Sequence, residues 1–234
     1  MIARRAYGFT PRAVRIVASV PATTLMLALC WTTAAAAQSL TVSSASAAPP
    51  DAMAPAIAAQ LQTSADTVHI GDATLEFWWV KAVQVSAEGP GWSSVESGTL
   101  VGAARVTGPF KEIRGKPVKP GAYTLRFGLQ PQNGDHLGIS ANREFLLLSP
   151  AEVDRDPKVL GFDGVVALAK QTIGTSHPAS LSLDPPEEAT GAARSPMTND
   201  LGHKGVVIEV KQSLNGKTVG AITFGLIVNG LIVH

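Results

Sequence analysis

Histidine and carboxylate residues lie together in polar segments of the chain, and these residue types can perform acid–base or metal chemistry. Asp135 and His136 follow an Asn-Gly pair, and His177 lies in a second polar segment. A histidine oriented by a carboxylate can act as a general base, and the same pair is a ligand set for a divalent metal. If the two segments met at one end of the fold, Asp135, His136 and His177 would form a catalytic or metal site.

A simpler explanation of these residues is turn chemistry, which the sequence favours. Asn-Gly-Asp is common in turns, and a histidine beside it is often a surface or capping residue. Further acids follow at Asp154, Asp156 and Asp163, but no diagnostic ligand spacing joins them to a histidine. We therefore predict no cofactor, with a divalent metal as the alternative.

Two tryptophans and one acid form a second candidate set, for binding rather than catalysis. In the predicted strand over 73–85, Trp78 lies on the face opposite to Phe77 and Trp79 and shares that face with Glu76. Trp92 lies in a Gly-Pro-Gly-Trp loop. An exposed indole flanked by polar groups can stack on a sugar or anchor a protein partner. The alternative is that both indoles cover edges of the fold or that Trp78 lies under a long loop, and the frequency of partly buried tryptophan favours it.

Common enzyme motifs are absent from the sequence. Residues 216–218 read Gly-Lys-Thr, but Lys211 occupies the position where a phosphate-binding loop requires glycine, and a strand pattern follows instead of a helix. The run 174–178 lacks the final glycine of a nucleophile elbow. Neither H-E-x-x-H, nor paired cysteines, nor EF-hand spacing occurs. These absences favour a protein that is not an enzyme.

The elements that must position these residues are predominantly strands. Apolar side chains alternate with polar ones, most clearly where Tyr123, Leu125 and Phe127 alternate with Thr124 and Arg126. An Asn-Gly pair at 215–216 between two alternating runs predicts a β-hairpin. The predicted strands cover 73–85, 100–106, 122–129, 143–148, 179–183, 206–211 and 222–228.

One helix is predicted between these strands. Val165, Leu168, Ala169 and Ile173 recur at helical spacing, so we expect a short helix that is capped by the acid at 163 and ends at the glycine at 174. Parallel sheets need a helix after nearly every strand, whereas this chain has many turns and a single helix. The pattern therefore predicts an antiparallel β-sandwich.

The first 37 residues are typical of a cleavable export signal. Four arginines and no acid precede an apolar stretch from 16 to 31, which ends in the alanine run 34–37. The competing interpretation, a membrane anchor, needs about 20 apolar residues, and Pro21 and threonines interrupt this stretch. Cleavage after Ala37 would remove Cys30, which is the only cysteine, and would leave a mildly acidic protein without a transmembrane segment.

The composition of the remaining residues predicts a spacer followed by one domain. Residues 38–65 are rich in Ala, Ser and Pro, which predicts a flexible spacer, although 56–61 could form one helical turn. We expect a single domain over 66–234 with a long surface loop near 187–204. The chain is 45% hydrophobic with a formal net charge of +1, which excludes a disordered chain and a strongly basic nucleic-acid binder.

Four segments carry a resemblance to known proteins. The runs 77–81, 119–126, 132–138 and 143–148 together resemble a group of exported bacterial β-sandwich proteins without an assigned activity. The Pro-Gly-x-Tyr-x-Leu piece at 120–125 is also similar to a strand of prealbumin-like and regulatory β-sandwich modules. The resemblance implies one exported domain and carries no catalytic residues.

These observations lead to one main functional hypothesis. We expect an exported, non-catalytic β-sandwich, periplasmic or secreted, that binds a ligand or partner in the bacterial cell envelope. One alternative is a metal-dependent or hydrolytic periplasmic enzyme that uses Asp135, His136 and His177. Another is a structural component of the envelope.

Overall fold

Alternating apolar residues between glycine-rich turns produce a mainly β structure. The computed structural model describes residues 39–132 and 142–230. The strands in these ranges are β1 (Leu40–Ser46), β2 (Ser64–Ile70), β3 (Ala73–Trp79), β4 (Val83–Gln84), β5 (Leu100–Thr107), β6 (Phe110–Lys111), β7 (Pro117–Val118), β8 (Gly121–Leu129), β9 (Glu144–Pro150), β10 (Ser180–Asp184), β11 (Pro196–Thr198), β12 (Lys204–Leu214) and β13 (Lys217–Asn229). The helices are α1 (Pro55–Ala58) and α2 (Gly161–Ile173).

Most of the strands belong to one continuous, mostly antiparallel sheet that folds over on itself. Their order is β1-β2-β3-β5-β8-β9-β10-β13-β12-β11, with β4 parallel to β12, while β6 and β7 form a separate small hairpin. Strand β10 pairs with β9 through 180–182 and with β13 through 183–184, so it is shared by the two layers. The antiparallel β-sandwich expected from the sequence is confirmed.

Aromatic and branched side chains fill the space between the layers. Phe77 stacks on Trp79, and the edge of Trp79 meets Phe224 of the opposite layer at 5.8 Å between ring centroids. The alternating positions of β8 also point inward, and Leu125 and Phe127 are fully buried. This core is the main source of stability because burial of apolar surface is the dominant favourable term in folding.

A buried carboxylate links the edge of the first layer to the second. Asp66 on β2 accepts hydrogen bonds from Ser44 Oγ at 2.5 Å, from Trp79 Nε1 at 2.8 Å and from Arg194 Nε at 2.9 Å. Arg194 lies in the segment beside β12, since its amide donates to the carbonyl of Val207. Its backbone has a φ of 65°, a left-handed conformation that is uncommon for a residue with a side chain.

The C-terminal hairpin forms where the Asn-Gly pair predicts it. Asn215 and Gly216 have φ angles of 50° and 79°, as a tight turn with two left-handed positions requires. Strands β12 and β13 pair in antiparallel register on either side of this turn.

The prediction of a flexible spacer over 38–65 is wrong for its described part. Strand β1 pairs with β2 along its whole length, and Ile57 of α1 and Leu61 are fully buried in the core. All of the described residues belong to the same compact unit. This segment has few apolar residues, but it is ordered because β1 pairs with β2 and because Ile57 and Leu61 pack into the core that the other strands form.

Two element boundaries also differ from expectation. The single strand predicted over 73–85 is broken after Trp79, where Lys81 donates its amide to the carbonyl of Gln60, and the chain crosses to the other layer as β4. Helix α2 begins before the expected cap at Asp163: Leu160 is the N-cap residue, and Asp163 lies in the first turn. The predicted end at Gly174 is confirmed, with this glycine in the left-handed conformation at φ 64°.

None of the helices in the described ranges has the length and hydropathy that a membrane span requires.

Candidate functional site

A groove of about 1070 Å³ lies between α2 and the outer face of the first layer. The side of the groove formed by the sheet consists of residues from β8, β9 and β10, and the opposite side consists of one face of α2. The turn between β6 and β7 and the segment after α2 complete it. Its volume is at the upper end of the range of small-molecule sites.

The position of α2 over the sheet depends on a buried arginine. Arg126 of β8 and its partner Asp154 are almost completely buried and form a bidentate ion pair at 2.6 and 2.8 Å. Arg126 Nη1 also donates to the carbonyls of Gly98 and Lys158, at 2.7 and 2.9 Å. These bonds fix the loop that leads into α2, and Thr172 Oγ1 of α2 donates to the carbonyl of Leu148 at 2.6 Å.

The floor of the groove is apolar. Phe145 and Leu147 lie on the outer face of β9, and Phe162 and Val166 approach from α2. Gly128 on β8 leaves room for the Leu147 side chain beside it. A Cβ at position 128 would lie 3.0 Å from Leu147 Cδ1, closer than ordinary van der Waals contact. The floor therefore suits the apolar body of a ligand.

The rim of the groove is basic. Arg114, Lys116, Lys170 and His177 line it, and no Asp or Glu among residues 39–132 and 142–230 is part of the lining. The positive charge of Arg114 is already balanced by the buried Glu112, since Nη2 of Arg114 lies 2.9 Å from Oε2 of Glu112. The same Nη2 also donates to the carbonyl of Pro178. Lys116 and Lys170 are exposed, and within the part of the chain that the structure describes neither forms an ion pair.

The structure places one of the three predicted catalytic or metal residues at this groove. His177 lines the rim and is exposed, with its backbone held in a turn by Thr175 Oγ1 at 3.3 Å. Asp135 and His136 lie in 133–141, outside the described residues. The proposed triad stays a prediction.

The other acids considered with the histidines have different surroundings. Asp154 is the buried partner of Arg126, Asp156 forms an exposed pair with Lys158 at 3.8 Å, and Asp163 lies in the first turn of α2. Among residues 39–132 and 142–230, no group of three or more His, Cys, Asp and Glu side chains is arranged to hold a metal ion.

Trp78 and Glu76 do not form the exposed binding surface considered from the sequence. Trp78 is fully buried: its Nε1 donates to the carbonyl of Ala47 at 3.1 Å, and the Arg105 guanidinium lies 5.4 Å from the centre of its ring. Glu76 accepts a bidentate pair from Arg105 at 2.5 and 2.7 Å. Trp78 is buried because the segment after β1, predicted to be a spacer, packs near it.

Trp92 is also a core residue. It is 6% exposed, stacks on Phe127 at 4.9 Å and meets Phe224 at 5.0 Å. Its Nε1 has no hydrogen-bond partner in the described structure. Neither tryptophan presents a ring face to a sugar or a protein partner.

Sequence reasoning missed most of the residues that line the groove. Two signals pointed to it: β9 is apolar on both parities, as in a strand covered on both faces, and Phe162 and Val166 are spaced four residues apart outside the predicted buried stripe of α2. Two apolar residues at this spacing share a helix face. The basic residues carried no pattern of their own because they come from three separate segments.

A second groove, of about 870 Å³, is lined in part by the β6–β7 hairpin. It is lined by Lys111 and Lys119 but also by Asp72 and Glu112, so both signs of charge are present. It lacks the separation of an apolar floor from a basic rim that distinguishes the first groove.

Comparisons with known proteins give no match: no family model matches the chain, and neither a curated protein nor a solved structure is significantly similar to it.

Proposed function

We propose that this protein is an exported, non-catalytic binding protein of the bacterial cell envelope that holds a small ligand with an apolar body in the groove beside α2. The observation that carries the proposal is the apolar floor of Phe145, Leu147, Phe162 and Val166 in a groove of about 1070 Å³. Burial of a ligand against such a floor is favourable by about 25 cal/mol for each Å² removed from water.

Binding of a neutral apolar fluorophore, N-phenyl-1-naphthylamine, tests the proposed function. We expect a saturable rise in fluorescence with the protein produced from its full coding sequence. Val166→Phe should weaken binding because the larger side chain fills the groove, whereas Ala167→Phe at the adjacent exposed position of α2 should not. An unsaturable signal, or one that Val166→Phe leaves unchanged, would contradict the proposal.

Export is supported by the order of basic, apolar and small residues in 1–37. Fractionation of the producing cells tests this part of the proposal. We expect the protein in the periplasmic or extracellular fraction, and retention in the cytoplasm would overturn it.

The second candidate is a hydrolytic enzyme that uses the same groove, and the position of His177 on its rim favours this alternative. Incubation with ester, glycoside and peptide substrates separates the two candidates. Turnover that His177→Ala or His136→Ala abolishes would establish the enzyme, whereas recovery of every substrate unchanged is expected for a binding protein.

A further inference from the structure

The geometry of the groove points to the chemical class of its ligand: we infer that it binds a single-chain amphipathic anion, a fatty carboxylate. This inference rests on the proposed function, because it requires that the groove is a binding site. It adds that the ligand carries one negative head group, and that this head group lies at a defined end of the groove.

Helix α2 shows how apolar and basic groups are separated along the groove. Phe162, Val166 and Lys170 are spaced four residues apart, so they share one face of the helix, and all three line the groove. At about 1.5 Å of rise per residue, Phe162 and Lys170 are separated by about 12 Å along the helix axis. The groove is therefore apolar at the N-terminal end of α2 and basic at the C-terminal end.

Further groups reinforce the basic end. His177 and Ser176 follow α2 in sequence and line the groove beyond Lys170, and Lys116 contributes a second ammonium group from the β6–β7 turn. Hydroxyl and ammonium groups are hydrogen-bond donors to a carboxylate. The end of α2 itself carries a partial negative charge equivalent to about half an electron, which the two lysines exceed.

Charge complementarity then selects the ligand. Arg114 is neutralised by Glu112, but Lys116 and Lys170 leave an excess of positive charge around a groove that is lined by no carboxylate of the described residues. A cationic amphiphile would meet like charge, and a neutral one would leave the lysines without an anion. A fatty carboxylate places its alkyl chain on Phe162 and Val166 and its head group near Lys170.

Displacement of N-phenyl-1-naphthylamine by laurate, dodecanol and dodecyltrimethylammonium tests the inference. We use the full-length gene product with laurate and dodecyltrimethylammonium below their micellar concentrations and dodecanol below its solubility limit. We expect laurate to bind at least about tenfold more tightly than dodecanol, a difference of about 1.4 kcal/mol. The preference should decrease as salt is added, since exposed charges are screened.

Paired variants locate the head group. Lys116→Gln/Lys170→Gln should remove most of the preference for laurate and leave dodecanol binding unchanged, whereas Lys211→Gln, at an exposed position of β12, should change neither. Equal binding of laurate and dodecanol, or tighter binding of the cation, would overturn the inference while the proposed function stands. Failure of the fluorophore and of all three amphiphiles to bind would instead overturn the proposed function.

Discussion

Among the described residues, Arg126 donates the most side-chain hydrogen bonds, and all of them go to groups of the protein itself. Arg126 alternates with apolar residues on β8 and reads from the sequence as a solvent-facing position, yet it is fully buried. Its partner Asp154 comes from a loop 28 residues further along the chain. Strand alternation shows that Arg126 points away from the main core, but only the tertiary position of α2 and its preceding loop determines that this outer face is covered.

Removal of this buried ion pair should strongly destabilise the protein. Arg126→Met removes the charge partner of the buried Asp154 and the donor to three backbone carbonyls, those of Gly98, Asp156 and Lys158, and we expect a loss of about 3–5 kcal/mol in the free energy of unfolding. Urea titration provides the measurement. Arg105→Met, which breaks the more exposed pair with Glu76, is the matched control and should cost about 0–1 kcal/mol. Equal losses in both variants would contradict this account of Arg126.

Asp184 should give the protein a measurable dependence on pH. Burial raises the pKa of this carboxyl above its ordinary value of 3.8, although Asn199 and Asn142 donate hydrogen bonds to it and His203 lies close enough to oppose the rise. The folded state then holds a proton that the unfolded state has released, so stability decreases as pH rises from 3.8 through the folded pKa.

The variant Asp184→Asn isolates this effect. Because the amide does not titrate, the free energy of unfolding of the variant relative to the wild type should rise with pH across that interval and then level off. Urea titrations between about pH 3 and about pH 7 measure the difference. A constant difference for Asp184→Asn, or one that falls with pH, would contradict the prediction.

At the scale of elements, the sequence predicts the strands better than the parts that join them. Asn215-Gly216 specifies its hairpin by local chemistry, and the alternation in β8 is visible in the residues themselves. By contrast, Leu40 and Val42 are the only β1 residues that are not fully exposed, and the order of this strand comes from pairing with β2. A segment stabilised by its partners has no periodic signal that distinguishes it from a spacer.

A substitution in α1 tests whether the segment before β2 is part of the core. Ile57 is fully buried, and Ile57→Ala should lower the free energy of unfolding by about 2–5 kcal/mol through lost burial and the cavity that remains. Ala56→Ser, at the exposed neighbouring position, should change it by no more than about 0.5 kcal/mol. If Ile57→Ala behaved like Ala56→Ser in thermal and urea unfolding, the segment would be a spacer after all.

The groove is also formed by the packing of several secondary-structure elements and not by a local sequence motif. Its lining combines α2, three strands and two turns that are distant in sequence, so no local spacing reveals it. The sequence does predict α2 and the two-sided burial of β9. It could not predict that Phe162 and Val166 line a groove, because that depends on how Arg126 holds the loop before α2.

At the scale of the whole molecule, two linked layers hold the groove on their outer surface. The chain has one cysteine, so it forms no internal disulfide, and Asp66 joins the edge of the first layer to Arg194 beside the second. The groove lies away from this junction, on the outer face of β8, β9 and β10. A ligand could therefore enter without separating the layers.

Photolabelling with a fatty acid that carries a diazirine on its alkyl chain tests the central claim most directly. We predict that mass spectrometry will find the label on peptides containing Phe162 and Val166 or Phe145 and Leu147, and that excess laurate will suppress it. Label at the second groove, for example at Phe110 or Val118, or label that laurate does not suppress, would contradict the account.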